Sequence, residues 1–137
     1  MVDVTASRLI HRKPGDVAAV MFDPSRDPEW IGGAKSVDPV HGSPTKVGAR
    51  VTRRGGFMGR KFSWQTEVQG FEPDHLLHMS FTDGPMKGGT VTYRIEPDGA
   101  YSRVSIRNTG PGPQIVGWFV RASVAKDLAR LARVVEA

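Results

Sequence analysis

The sequence predicts an α+β fold: a curved antiparallel sheet of six to seven strands wraps around a long C-terminal helix, and two short helices follow the first strand. Three observations predict this fold. Helical periodicity appears briefly after a first strand-like segment, apolar and polar residues then alternate from 35 to 109, and helical periodicity returns from 113 to the end. A length of 137 residues is typical of one domain, so we expect 1–137 to fold as a unit.

A first strand and a short helix are predicted at the start of the chain. Residues 2–11 alternate loosely between apolar and polar side chains, which is typical of a strand. Pro14 suits the first turn of a helix, because its missing N–H has no partner there. Pro24 ends that helix, since the residue before a proline is disfavoured in the helical conformation.

The stretch FDPSRDPEW, residues 22–30, interrupts the helical pattern with two Asp-Pro pairs and a tryptophan. Asp23 and Asp27 are interpreted as caps and turn formers of short helical segments. Trp30 supplies rigid apolar surface at the bend. We therefore expect two abutting short helices with a bend between them.

The middle of the chain is predicted to be an antiparallel meander, because its strands are consecutive and their connections are short. The glycines of GGFMG are expected to form a tight turn, and Asp98-Gly99 a two-residue hairpin turn. The predicted strands cover 35–42, 47–54, 60–71, 75–82, 90–97 and 101–110.

Alternation within these strands predicts one face toward the interior and one toward water. Along 75–82, Leu77, Met79 and Phe81 form the better apolar face, which leaves His78 outside. The alternative is a strand shifted by one residue, which would place His78 inside in place of Met79, because the adjacent Leu76 and Leu77 fit either phase. Two further inward sets are Phe62, Trp64, Thr66 and Val68, and Val91, Tyr93 and Ile95.

The C-terminal helix is predicted to cover the sheet through one apolar stripe. Its polar side is expected to carry Lys126, Asp127, Arg130 and Arg133. The stripe comprises Val120, Val124, Leu128, Leu131 and Val135.

The net charge of +5 comes entirely from residues 46–61, which hold six basic groups and no acid. A nucleic-acid binder usually spreads its basic face over several elements, so no nucleic-acid partner is expected. The chain has no cysteine, no membrane-spanning apolar run and no apolar core of a signal peptide near its start, and a cytoplasmic location follows as the expectation.

The order of these elements, with several short motifs, resembles the START/Bet v 1-like superfamily (SRPBCC, helix-grip fold), in particular its polyketide cyclase/dehydrase-like branch. The motifs are FDPSRDPEW, V-G-A-R at 47–50, F-E-P at 71–73, I-E-P-D-G at 95–99 and the closing helix A-K-D-L-A-R-L-A-R-V-V-E-A. The resemblance implies a deep apolar cavity between the sheet and the last helix. Members bind lipids, sterols, quinones, hormones or polyketides, and some of them are enzymes.

Cavity residues follow from the inward-facing positions combined with this resemblance. Arg121 flanks the apolar stripe and is a candidate to direct its guanidinium toward a polar ligand group, with the sheet edge and water as its other destination. The expected ligand-binding residues are Trp30, Phe62, Trp64, Thr66, Met79, Phe81, Val91, Tyr93, Ile106, Val120, Arg121 and Val124. Residues expected at the cavity mouth or lid are Phe57, Met58, Trp118 and Phe119, with an oligomer contact and docking on an anionic membrane as the second and third interpretations.

Catalytic candidates are few. Tyr93, Arg121 and His78 are the polar residues that an enzyme of this fold would use as acid or base, and the sequence contains no established catalytic motif beside them. His75 and His78 are three apart on a strand and point to opposite faces, so no metal site is expected. No cofactor is expected either.

Three functional hypotheses remain open at this point. The first is binding of a small hydrophobic or amphipathic molecule, such as a lipid, a quinone or a polyketide-like aromatic. The second is a cyclase/dehydrase (aromatase) type enzyme that uses the same cavity. The third is a regulatory or toxin-like interaction protein that acts through the basic 46–61 hairpin. We expect a monomer or homodimer with at most peripheral membrane contact.

Overall fold

The computed structural model describes residues 1–57 and 59–137, without the side chain of Phe57. A 3-10 turn over Pro24–Arg26 separates the first two of its α-helices. The helices are α1 (Pro14–Met21), α2 (Asp27–Trp30) and α3 (Gln114–Glu136). The strands are β1 (Val2–Ile10), β2 (Ala34–Val37), β3 (Arg50–Phe57), β4 (Arg60–Glu72), β5 (Leu76–Asp83), β6 (Thr90–Asp98) and β7 (Tyr101–Gly110).

All seven strands form one antiparallel sheet in the order β1-β7-β6-β5-β4-β3-β2. Strands β2 to β7 are a meander, and β1 pairs with β7 through an unbroken register from Val2↔Gly110 to Ile10↔Ser102. Helix α3 packs on β1, where Gly117 faces Val4. The predicted fold class is confirmed, including the two short helices and the long C-terminal helix.

The core lies between the concave face of the sheet and the three helices. Trp30 of α2 and Met21 of α1 are 1% exposed, and Leu131 of α3 is fully buried. Burial of each such side chain stabilises the fold by about 1.5–3 kcal/mol. Because α1 and α2 have few residues of their own, this shared core is what holds them in place.

The FDPSRDPEW stretch forms the predicted pair of abutting helical segments. Asp23 caps the 3-10 turn, since its Oδ1 accepts a hydrogen bond from the Ser25 backbone N–H at 3.1 Å. The structure differs from the prediction at Asp27, which was expected to be a cap or turn former. Its carboxylate is buried and contacts Arg53 of β3. The bend therefore places Asp27 and Trp30 inside the molecule.

Two turns differ from the sequence prediction. Gly55 and Gly56 continue β3 as strand residues, and among the described residues of GGFMG, which leave out Met58, a positive φ occurs at Gly59, at 79°. Gly55 is needed for close approach, because a Cβ there would lie 1.7 Å from the Gly33 carbonyl oxygen. In the β6–β7 hairpin, Asp98 pairs with Tyr101, so the two loop residues are 99 and 100.

No helix in the described residues 1–57 and 59–137 combines the length and the apolar character that a membrane span needs.

Replacing Gly55 with Ala is expected to destabilise the protein, because the β3 and β2 backbones meet at this point. The added Cβ has a backbone oxygen in its way, and backbone cannot rotate aside as a side chain can. We expect a loss at the upper end of the overpacking range, about 3 kcal/mol, measured as the free energy of unfolding in urea.

The matched control is Gly33→Ala, on the other side of the same contact. Its Cβ would have Gly56 O as nearest neighbour at 3.7 Å, an ordinary van der Waals distance. Equal stability of the Gly55→Ala and Gly33→Ala variants would contradict the close approach of β2 to β3.

Candidate functional site: a two-part cavity with a polar inner end

Two adjoining cavities lie between the sheet and α3. The inner cavity has a volume of about 120 Å³ and the outer cavity about 370 Å³. They are neighbouring parts of one concave region, because five residues line both of them: Ile31, Trp64, Phe81, Val124 and Asp127.

The inner cavity is lined by many of the residues predicted to face inward. Strand alternation accounts for those that lie on the sheet, since each strand contributes every second residue to the concave face, whereas Trp30 comes from α2 and Val124 from α3. The predicted residues that line it are Trp30, Trp64, Thr66, Met79, Phe81, Val91, Tyr93, Ile106 and Val124. Its other lining residues are Ile31, Arg53, Asn108 and Asp127.

The outer cavity is bordered by apolar side chains of the sheet, the β5–β6 loop and the first half of α3. Phe119 lines it and is 69% exposed, so the outer cavity reaches the molecular surface there. The predicted residues that line it are Phe62, Trp64, Phe81, Phe119, Val120 and Val124. Sequence reasoning did not include Gly33, Pro85, Met86, Val116 and Ser123, which also line it.

A buried ion pair closes the inner end of the cavity. The Arg53 guanidinium donates from Nε to the Asp27 carboxylate, and the two side chains are 4% and 2% exposed. Arg53 Nη1 also donates to Thr66 Oγ1 at 2.7 Å. These contacts join α2, β3 and β4 at one point, and they leave further N–H groups of Arg53 at the cavity wall.

Burial affects the pKa of the Asp27 carboxyl. Loss of solvation raises the pKa of the Asp27 carboxyl to about 6, and the positive charge of Arg53 opposes this rise. Burial also raises the pKa of the Tyr93 hydroxyl, and the negative charge of Asp27 adds to that increase. Tyr93 therefore remains a neutral hydrogen-bonding group across the physiological pH range.

In the described part of the chain, one buried hydrogen-bond donor of the inner cavity is left without a partner. The indole Nε1 of Trp30 is buried and, within the described residues, has no hydrogen-bond partner. Its ring packs edge-on to Tyr93, with centroids 5.7 Å apart. A buried donor without a partner costs about 1–3 kcal/mol, so an acceptor that enters the cavity and pairs with Trp30 would recover part of this cost.

Asp127 is the carboxylate that lines both cavities. Its Oδ1 accepts hydrogen bonds from the Gly32 backbone N–H at 3.0 Å and from Arg130 Nη1 at 2.8 Å. Burial raises the pKa of Asp127, opposed by these two donors. The prediction that Asp127 lies on the solvent side of α3 is wrong, because its side chain is 14% exposed and lines both cavities. Arg130, predicted on the same side, is 40% exposed and pairs with Asp127 beside Gly32.

The remaining predicted residues lie away from the cavities. Arg121 is exposed and is absent from both linings, because one step along α3 from Val120 turns a side chain away from the sheet. Trp118 is 73% exposed and also lies outside both linings. His78 is half-buried on the outer face, where its Nδ1 lies 2.6 Å from Thr92 Oγ1. The Phe57 side chain and Met58 fall outside the described residues.

Sequence reasoning missed Arg53, the guanidinium that the structure places at the cavity. It was grouped with the basic residues of 46–61, of which Arg50 pairs with Glu67 and Arg54 with Asp38 on the surface. The alternation of side chains along β3 could have indicated that Arg53 points inward. Val51 is 1% exposed, and a residue two positions later points to the same face.

The fold and the cavity together define a class of protein, namely helix-grip proteins that enclose a small-molecule cavity between a curved sheet and a terminal helix. The family model described as "Polyketide cyclase / dehydrase and lipid transport" matches residues 1–136, and the chain belongs to this family. Membership implies a hydrophobic ligand-binding cavity. No curated protein matches the sequence.

Several solved structures share the fold at low sequence identity. TTHA0849 from Thermus thermophilus is 19% identical, with a TM-score of 0.81 over 97% of this chain and 96% of that one. Protein CV1439 from Chromobacterium violaceum is 18% identical, with a TM-score of 0.79 over 98% and 97%. The di-domain ARO/CYC BexL from the BE-7585A biosynthetic pathway is 18% identical, with a TM-score of 0.76 over 99% of this chain and 47% of that one.

Replacing Asp27 with Asn tests the effect of burial on this carboxyl. The folded chain holds the Asp27 proton through a pH range in which the unfolded chain has lost it, because folding raises the pKa from 3.8 to about 6. The free energy of unfolding of the wild type, relative to Asp27→Asn, is therefore expected to fall by up to about 3 kcal/mol between about pH 4 and about pH 6. Urea unfolding across this range measures the difference.

Asp38→Asn provides a control of opposite sign. The exposed pair with Arg54 lowers the pKa of Asp38, so its contribution is present above the ordinary pKa and is lost as the pH falls. If the Asp27 difference rises with pH as the Asp38 difference does, then the attraction of Arg53 outweighs burial and the expected direction is wrong.

Proposed function

We propose that this protein binds a small amphipathic molecule in the two-part cavity, with the apolar body of the molecule in the outer part and an acceptor-bearing polar group at the inner end. The observation that carries the proposal is the position of a buried, donor-rich cluster at the closed end of an otherwise apolar space. A lipid, a quinone or a polyketide-like aromatic has this combination of parts.

The apolar part supplies most of the affinity. Removing apolar surface from water contributes about 25 cal/mol per Å², and the outer cavity is bordered by aromatic side chains such as Phe62, Trp64 and Phe81. Such side chains offer broad apolar contact and few directional constraints, which suits a flat or flexible hydrocarbon body.

The polar part determines orientation. Arg53 is held by Asp27 and Thr66, so its guanidinium keeps one position and does not reorganise when a ligand arrives. With Trp30 Nε1 and the Tyr93 hydroxyl nearby, the inner end favours a carbonyl or another oxygen acceptor. A pure hydrocarbon would leave these donors without partners, and this lowers its affinity relative to an oxygenated analogue.

A cyclase/dehydrase-type enzyme is the second candidate. The observation that favours it is Asp127, a carboxylate of raised pKa that borders both cavities and that a bound substrate would pass. A general acid or base works best with a pKa near the operating pH, and burial moves Asp127 in that direction. In this candidate, Tyr93 and Arg53 orient the substrate carbonyl.

Filling the cavity is expected to remove the ligand that copurifies with the protein. Val124 lines both cavities, so Val124→Trp places an indole where the bound molecule would lie. Native mass spectrometry of the freshly purified wild type should show a bound small molecule, and the variant should carry about tenfold less of it.

The matched control is Ala125→Trp, one residue away on the exposed side of α3. This variant should retain the wild-type ligand content. An empty wild type, or equal occupancy in the Val124→Trp variant, would contradict the binding proposal. If extraction of the wild type yields two compounds that differ by one water, the dehydrase candidate is favoured over simple binding.

The donor cluster is tested with prodan, a fluorescent naphthalene ketone whose emission shifts to longer wavelength when its carbonyl accepts hydrogen bonds. Trp30→Phe and Tyr93→Phe each remove one donor and keep an aromatic ring. We expect each variant to shift the bound emission to shorter wavelength and to weaken binding about threefold to tenfold.

Thr92→Val is the control, because Thr92 contacts His78 on the outer face of the sheet. It should leave both the emission and the affinity unchanged. Prodan that binds equally well to all four proteins, with one common emission maximum, would mean that the inner donors do not contact the ligand carbonyl.

A further inference from the structure

The first turns of α3 expose three large apolar side chains. Ile115, Trp118 and Phe119 are 56%, 73% and 69% exposed. Their spacing of three and four residues places them on one face of the helix. Single exposed apolar side chains are normal on protein surfaces, whereas a cluster of this kind marks an interaction surface. We call these three residues the apolar patch.

The apolar patch is continuous with the outer cavity. Phe119 belongs to the patch and also lines the cavity, together with Val116 and Val120 of the same helix. Any partner that covers the patch therefore also covers the rim of the cavity. This position connects the patch with the entry of an apolar ligand.

A basic groove formed by residues of β2, β3 and β4 adjoins the outer cavity. Phe62 lines both the outer cavity and this groove. Arg54 in the groove is paired with Asp38 at 2.9 Å. Within the described part of the chain, no salt bridge uses the other three cations, and all three are exposed. These cations are Lys35, Arg60 and Lys61.

We propose that the rim of the cavity docks on an anionic lipid surface, with the apolar patch entering the interfacial layer and the three groove cations facing lipid phosphates. Aromatic side chains next to exposed Lys and Arg are the combination that favours the boundary between headgroups and acyl chains. Each cation near such a surface adds electrostatic attraction that depends on salt. Docking in this orientation places the outer cavity against the membrane, where an apolar molecule passes without crossing water.

An anionic membrane matches this face better than a second copy of the chain does. Two copies that met through both the patch and the groove would place the cations of two protomers in one interface, where like charges repel. A lipid surface suits both the apolar patch and the groove cations, because it offers apolar chains and negative charge in adjacent layers.

The experiment is cosedimentation with vesicles made of equal parts of phosphatidylcholine and phosphatidylglycerol, compared with vesicles of phosphatidylcholine alone. The wild type should bind the anionic vesicles at least tenfold more strongly, and added NaCl should weaken this binding. The double variant Trp118→Ser/Phe119→Ser and the triple variant Lys35→Glu/Arg60→Glu/Lys61→Glu should each lose at least tenfold in binding. All substituted side chains are exposed, and thermal unfolding checks that the variants fold.

Two controls distinguish docking through the patch and the groove from a general effect of charge or apolarity. Lys13→Glu/Arg94→Glu/Arg103→Glu changes the net charge by the same amount at exposed positions outside both the groove and α3, and Tyr101→Ser removes an exposed aromatic ring elsewhere. Both should bind anionic vesicles as the wild type does. Equal binding to neutral vesicles, an equal loss in the control triple variant, or no vesicle binding would each overturn the proposal. A dimer that the Trp118→Ser/Phe119→Ser variant dissociates would assign the patch to self-association instead.

Discussion

The buried pair between Arg53 and Asp27 is the constraint on which the site depends. Both charges are removed from water, so each is stabilised mainly by the other. Loss of one partner leaves an uncompensated buried charge and destabilises the fold by about 3–5 kcal/mol. Asp27 stands at the start of α2 and Arg53 in the middle of β3, so the pair fixes a four-residue helix against the sheet. Trp30, three residues after Asp27, is thereby held at the end of the inner cavity.

The cavity exists because α3 fills the interior unevenly. In its second half, Leu128 and Leu131 are buried almost completely and pack the space under the sheet. In its first half, the sheet-facing positions carry the shorter side chains of Val120 and Val124, which line cavities instead of filling them. One continuous apolar stripe therefore does two things: its longer residues form a core, and its shorter residues leave room for a ligand.

The fold and the apolar lining could be predicted from the sequence, because both follow from local periodicity. The alternation that includes Phe62, Trp64 and Thr66 specifies one face of β4 without any knowledge of its neighbours. The ion pair could not be found in this way, since Asp27 and Arg53 are far apart in sequence and each has a satisfactory local interpretation. Asp27 precedes a proline as helix-capping residues often do, and Arg53 lies within a run of basic residues. Only the tertiary structure shows that both are buried.

Residues 115–120 illustrate how one segment can serve two surfaces. Apolar side chains surround this part of α3, so no rotation of the helix buries all of them against the sheet. Val116 and Val120 face the outer cavity, and Trp118 consequently faces water. A helix that needed only to close the cavity would carry polar residues on its outer side, as α3 does at Lys126 and Arg133. The change of character along one helix therefore separates a half that supports the fold from a half whose outer side is suited to an apolar partner.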